Sequence, residues 1–98
     1  MQLSRSEDLV QLKLPVEVKS DQVEEIARIV EEALAAGAKR IEFDFSEVDF
    51  MDSRAIGQLV RWHVACQQRG SGLRLSGLND RIRETLAVTN LLKLLNAD

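Results

Sequence analysis

The chain has 98 residues, with 13 Lys or Arg against 16 Asp or Glu, giving a formal charge of −3 at pH 7. A chain of this length buries about 60–70% of the surface it exposes when unfolded, enough for one core without metal or disulfide staples. Its 45% hydrophobic and 30% charged content is that of an ordinary globule and excludes a collagen, a coiled-coil rod and a disordered tail. The mildly acidic balance lacks the basic face expected of a protein that binds nucleic acid directly. The longest run free of charged side chains, Thr85 to Leu92, is far short of the roughly 20 apolar residues of a membrane span, so no membrane insertion is expected. No apolar stretch follows a basic start, so no export signal is visible. A lone Cys66 fits a reduced compartment, and the expected location is cytoplasmic. The four aromatic residues, Phe43, Phe45, Phe50 and Trp62, all fall between positions 43 and 62.

Residues 1–8 read as a frayed lead-in. Val10, Leu12 and Leu14 then alternate with Gln11 and Lys13, which predicts a strand with one wet face. Pro15 limits pairing, and Val16 to Val18 reads as a short second strand at or near an edge. Ser20 or Asp21 can cap the next element, with Glu24 placed as in a capping box. Val23, Ile26, Ala27, Val30, Ala33 and Leu34 form the apolar stripe of an amphipathic helix that Gly37 ends.

Ile41, Phe43 and Phe45 share one face of a third strand, with Asp44 on the other. Ser46 to Asp52 is a carboxylate-rich loop. Ser53 opens a second helix running to about Gln68, with Ile56, Leu59, Trp62 and Cys66 on one face and Arg54, Arg61 and Gln68 largely opposite. Gly70 to Gly72 is a turn, and Leu73 to Leu75 a fourth strand with Gly77 at its exit. Asn79 or Asp80 caps a third helix carrying Ile82 and Leu86, which Asn90 should stop. The apolar tail Leu91, Leu92, Leu94, Leu95 packs back as a short helix or strand. The order β-β-α-β-α-β-α predicts a single α/β domain over residues 1–98, with a mixed sheet of four to five strands and helices packed against it.

Catalytic chemistry finds little to work with. The one imidazole, His63, lies a turn from Cys66; a zinc site needs three or four ligands, and a core position explains both residues. Asp44, Glu47, Asp49 and Asp52 cluster where open α/β sheets place their sites, and read either as a hard-cation site or as a solvated acidic loop. No cofactor, no metal and no catalytic residue is expected, and the chain reads as a non-enzyme. What remains is the junction Asp52-Ser53-Arg54-Ala55-Ile56-Gly57. A Ser at a helix start is by default a cap, yet the free amides and dipole there also favour a phosphate.

The run Ile41 to Ser53, followed by Ile56-Gly57 and a helix, resembles the STAS domain family, the fold of bacterial anti-sigma factor antagonists. Arg83 to Leu91 is similar to that family's second landmark, a Leu-x-x-Thr-Gly-Leu stretch, with Asn90 where Gly is usual. The resemblance implies that Ser53 is a phosphorylation site and that the chain binds an anti-sigma factor with serine kinase activity, released when Ser53 is phosphorylated. It implies a partner-binding surface of Asp52, Ser53, Arg54, Ile56 and Gly57. The family often reads Asp-Ser-Ser-Gly or Asp-Ser-Thr-Gly, so Arg54 and Ala55 are departures. Arg54 can pair with a phosphate, meet an acidic partner or point to solvent. The alternative is a constitutive scaffold subunit of a bacterial lipid-transport ATPase complex, with Ser53 only a cap. Monomer and dimer both stay open.

Overall fold

The computed structural model describes residues 1–88 and 91–94. The elements in chain order are β1 (Gln2–Arg5), β2 (Leu9–Lys13), β3 (Glu17–Val18), α1 (Ser20–Ala35), β4 (Arg40–Asp44), β5 (Phe50–Met51), α2 (Ser53–Gln68), β6 (Gly72–Ser76), α3 (Asp80–Val88) and α4 (Leu91–Leu94). The main sheet runs β1-β2-β4-β6, and β3 pairs with β5 separately. β1 is antiparallel to β2, while β2, β4 and β6 are parallel, placing Leu12, Phe43 and Leu75 side by side.

Alternation sets the two faces of the sheet. Val10, Leu12, Ile41, Phe43, Leu73 and Leu75 are buried beneath the helices. Between them, Gln11 and Arg74 are exposed, and Lys13, Glu42, Asp44 and Ser76 are half-buried, on the opposite face of the sheet. Helix α1 buries Val23, Ile26, Val30, Ala33 and Leu34, and α2 buries Ala55, Leu59, Trp62, His63 and Cys66, all turned to the same side. The Trp62 and Phe43 rings meet edge to face, at 5.6 Å between centroids and 86° between planes. Such a pair adds about 0.5–1.5 kcal/mol beyond its buried area and fixes α2 over the middle of the sheet.

The expected α/β class and the order of the longer elements hold, and the differences have local causes. Residues 2–5, expected to be frayed, form β1, because an edge strand is held by its ladder to β2 and needs little apolar alternation. Leu3 lies opposite Leu12 but remains 44% exposed at that edge. Helix α1 starts straight out of β3, so Lys19 occupies the cap position and its N–H donates to Gln22 Oε1 at 3.0 Å. The expected box of Asp21 and Glu24 is therefore displaced toward the N-terminus. Gly37, at φ 85°, donates to the Leu34 carbonyl and ends α1 as expected. Asn79 is the cap of α3, accepting from Ile82 N–H at 2.8 Å while its amide donates to the Val48 carbonyl. The tail forms α4 with Leu91 buried; the stop placed at Asn90 and the packing of Leu95 lie outside the described residues.

Gly77 carries β6 into α3 at φ 70°, and a Cβ there would sit 3.1 Å from Ser46 N and 3.2 Å from Asp44 Oδ1. Those two atoms are themselves hydrogen-bonded at 2.8 Å, so neither yields freely. Gly77→Ala is expected to lower the unfolding free energy by about 1–3 kcal/mol, read from the urea midpoint at unchanged slope.

Candidate functional site

The junction between β4 and α2 is built from backbone outward. Phe45, fully buried, donates its N–H to the Ser76 carbonyl at 2.8 Å, and Val48 N–H turns back onto the Phe45 carbonyl. The Val16 carbonyl accepts from both Asp49 and Phe50 N–H, at 2.8 and 3.3 Å, and Asp52 N–H reaches the Val18 carbonyl at 3.2 Å. β5 thereby runs parallel to β3, with Val18 opposite Met51. A two-residue strand in a carboxylate-rich loop gives no alternation to read, and β5 is absent from the sequence prediction for that reason.

The cap of α2 is Asp52. Its extended backbone (φ −80°, ψ 172°) turns into the helix, and Oδ1 accepts from Ala55 N–H at 2.9 Å. Ser53, expected to open the helix as its cap, is the first helical residue and is exposed. The carboxylate also favours the positive end of the helix dipole. Ala55 is fully buried, so its methyl fills the core side of the first turn. Asp52→Ala should lower stability by about 0.5–2 kcal/mol, whereas Ser53→Ala should change it by less than about 0.5, both measured by urea unfolding.

The residues named from sequence divide. Ser53, Arg54 and Gly57 turn outward together, and with Gln58 and Arg61 they line a groove of about 330 Å³. Ile56 is half-buried and packs on the core instead. Arg54 lies 3.9 Å from Glu24 of α1 in an exposed pair worth little to stability. Gln58 and Arg61 were not selected from sequence, although their spacing from Ser53 on the helix was the available signal. Phe50 and Val16 are also exposed, at 46% and 52%, where the chain enters α2. Lys19 Nζ stands 5.9 Å from the Phe50 ring centroid.

The carboxylates do not converge. Asp44 holds the Ser46 amide, Glu47 lies 3.6 Å from Lys13, and Asp52 caps α2. No group of three or more His, Cys, Asp or Glu among the described residues is placed to hold a metal ion. His63 is buried, with Nδ1 lacking a hydrogen-bond partner among the described residues. Cys66 is buried beside it in sequence, and burial pushes its thiol up to about 11 from an ordinary 9.0. A thiol this protonated at neutral pH is a core group and a poor nucleophile. Because the folded value lies above the unfolded one, the Cys66 contribution to stability is present below about 9 and lost as the pH rises toward about 11. Denaturation series across that range should show a decline that Cys66→Ala lessens.

With this geometry in view, the chain can be placed. The family model described as "Mlab, STAS domain" matches residues 1–96, and the chain belongs to the STAS domain family. Solved structures share the fold. One is a proposed anti-sigma factor antagonist of Thermotoga maritima, TM1081, with TM-score 0.85 and 21% identity over 98% of this chain and 83% of that one. Another is the anti-sigma factor antagonist SpoIIAA in its unphosphorylated form, with TM-score 0.75 and 23% identity over 88% of this chain and 80% of that one. The phosphorylated form of SpoIIAA, the Bacillus cell fate determinant, matches with TM-score 0.78 and 21% identity over 99% of this chain and 89% of that one. No curated protein matches the sequence. Among the described residues no helix is long and apolar enough to cross a membrane.

Proposed function

We propose that this chain is a binding module of the anti-sigma factor antagonist kind, working in the cytoplasm without catalytic chemistry of its own. It docks a partner through the start of α2, and phosphorylation of Ser53 by that partner, an anti-sigma factor with serine kinase activity, ends the contact. One observation carries the reading: Asp52 supplies the cap, so Ser53 stands exposed at a helix N-terminus without being its cap. A phosphate on it brings about −1.5 to −2 charges beside the Asp52 carboxylate and into the docking surface, where repulsion and desolvation oppose binding. Asp52, Ser53, Arg54 and Gly57 present that surface, and Ile56 supports it from the core side.

A second reading is favoured by the description of the matching family model, Mlab rather than an anti-sigma protein. In it the same surface docks constitutively, as a scaffold subunit of a lipid-transport ATPase complex. Incubation with the cognate kinase and ATP separates the two. The switch gives one phosphate per chain, lost in Ser53→Ala, and at least a tenfold loss of partner affinity in Ser53→Asp. The scaffold gives no phosphate, co-purifying transporter subunits and unchanged binding by Ser53→Asp.

A further inference from the structure

The outward face of α2 holds a residue that the chain itself does not need. Gly57 sits inside the helix, where glycine is the least favourable residue after proline. Its backbone is not in the left-handed region, and a Cβ there would meet nothing within 4 Å. No internal contact and no turn therefore calls for glycine. A missing side chain on an exposed helix face instead lets another backbone come close, since the distance between packed helix axes is set by the side chains at their contact.

The surroundings of Gly57 say what kind of backbone fits. Ser53 and Val64, the latter 42% exposed, continue the outward line along the helix with half-buried Val60 beside it. Arg54 and Arg61 flank that line on one side, and Arg61 is exposed and forms no ion pair among the described residues. From Ser53 to Gln68 the helix contains no Asp or Glu, whereas α1 carries Asp21, Glu24, Glu25, Glu31 and Glu32. The face is thus a shallow strip to which α2 contributes no carboxylate, with a basic border that Glu24 of α1 approaches at Arg54.

We infer that this strip receives an acidic amphipathic helix of the partner, crossing α2 at Gly57 with carboxylates set against Arg54 and Arg61. The inference rests on the docking reading above and adds the occupant's chemistry and the place where it crosses. Helix-on-helix contact buries the apolar line, and the arginines select the sign of the partner and speed its approach.

The test places the photo-crosslinker p-benzoylphenylalanine at Gln58, inside the groove, and separately at exposed Phe50, in β5 just ahead of α2, in full-length protein in its native cells. Both positions should link the same partner, and the Gln58 adduct should map by mass spectrometry to a helical segment rich in Asp or Glu. With that partner purified, Arg61→Glu should weaken binding at least tenfold, and replacing the facing carboxylate by Lys should restore most of the loss. Gly57→Ala should raise the melting temperature by roughly 4 °C while weakening binding several-fold; a rise in melting temperature with unchanged affinity overturns the crossing. Links from Phe50 with none from Gln58, or a Gln58 adduct on a strand or an acid-poor segment, overturn the acidic helix and leave docking intact. No link from either position removes the docking reading itself.

Discussion

The Val16 carbonyl, taking the amides of both Asp49 and Phe50, is the contact on which the arrangement of the junction turns. It converts the end of the carboxylate-bearing connection between β4 and α2 into a strand, β5, whose direction is fixed by β3. That direction delivers Asp52 to the Val18 carbonyl with its side chain already pointing at the first turn of α2. The β3 segment follows directly from β2 through Pro15, so the main sheet and the start of α2 are tied through a few residues of backbone. From the other side, Trp62 against Phe43 holds the helix body down. A helix pinned at its start by backbone and at its middle by an aromatic pair has little freedom to tilt, and what it presents outward is correspondingly fixed.

How much of this was legible depended on what kind of signal each element leaves. The long amphipathic helices and the three parallel strands announce themselves through period, because their apolar residues must all reach one core. Helix α2 was bounded at Ser53 and about Gln68 from sequence, and it runs between those residues. β1 and β5 leave no such trace, since both are held by main-chain bonds that any side chains permit. Caps were the hardest to assign. Asp and Ser are nearly equal as caps, and only the path of the chain out of β5 decides for Asp52 over Ser53; at α1 the same kind of path puts Lys19, a residue with no capping preference, at the helix start.

The site was legible as a location and less so as a surface. The Asp52-Ser53 pair, on which the family resemblance rests, lies at the cap and first residue of α2. Which neighbours share its face is a matter of helical geometry, so Ile56 turns toward the core while Gln58 and Arg61 come round beside Ser53. Arg54 and Ala55, the two departures from the common family pattern, have different standings in the fold. Ala55 is a core residue, and its side chain fills space that glycine would leave empty. Arg54 is exposed and, among the described residues, pairs with Glu24 at 3.9 Å, a contact long enough for an approaching group to displace.

Among the described residues the helices bury one side of the sheet, and its other face is a lattice of Gln11, Lys13, Glu42, Asp44, Arg74 and Ser76. The candidate docking face and this polar lattice therefore lie on opposite sides of the same three strands, with the core between them. Residues that keep the molecule dispersed in water need not share positions with residues that make it adhere. The outward strip of α2 can grow more apolar or more basic without disturbing the wet lattice behind it. That separation lets substitutions on one face of the domain proceed without changing the polar pattern of the other.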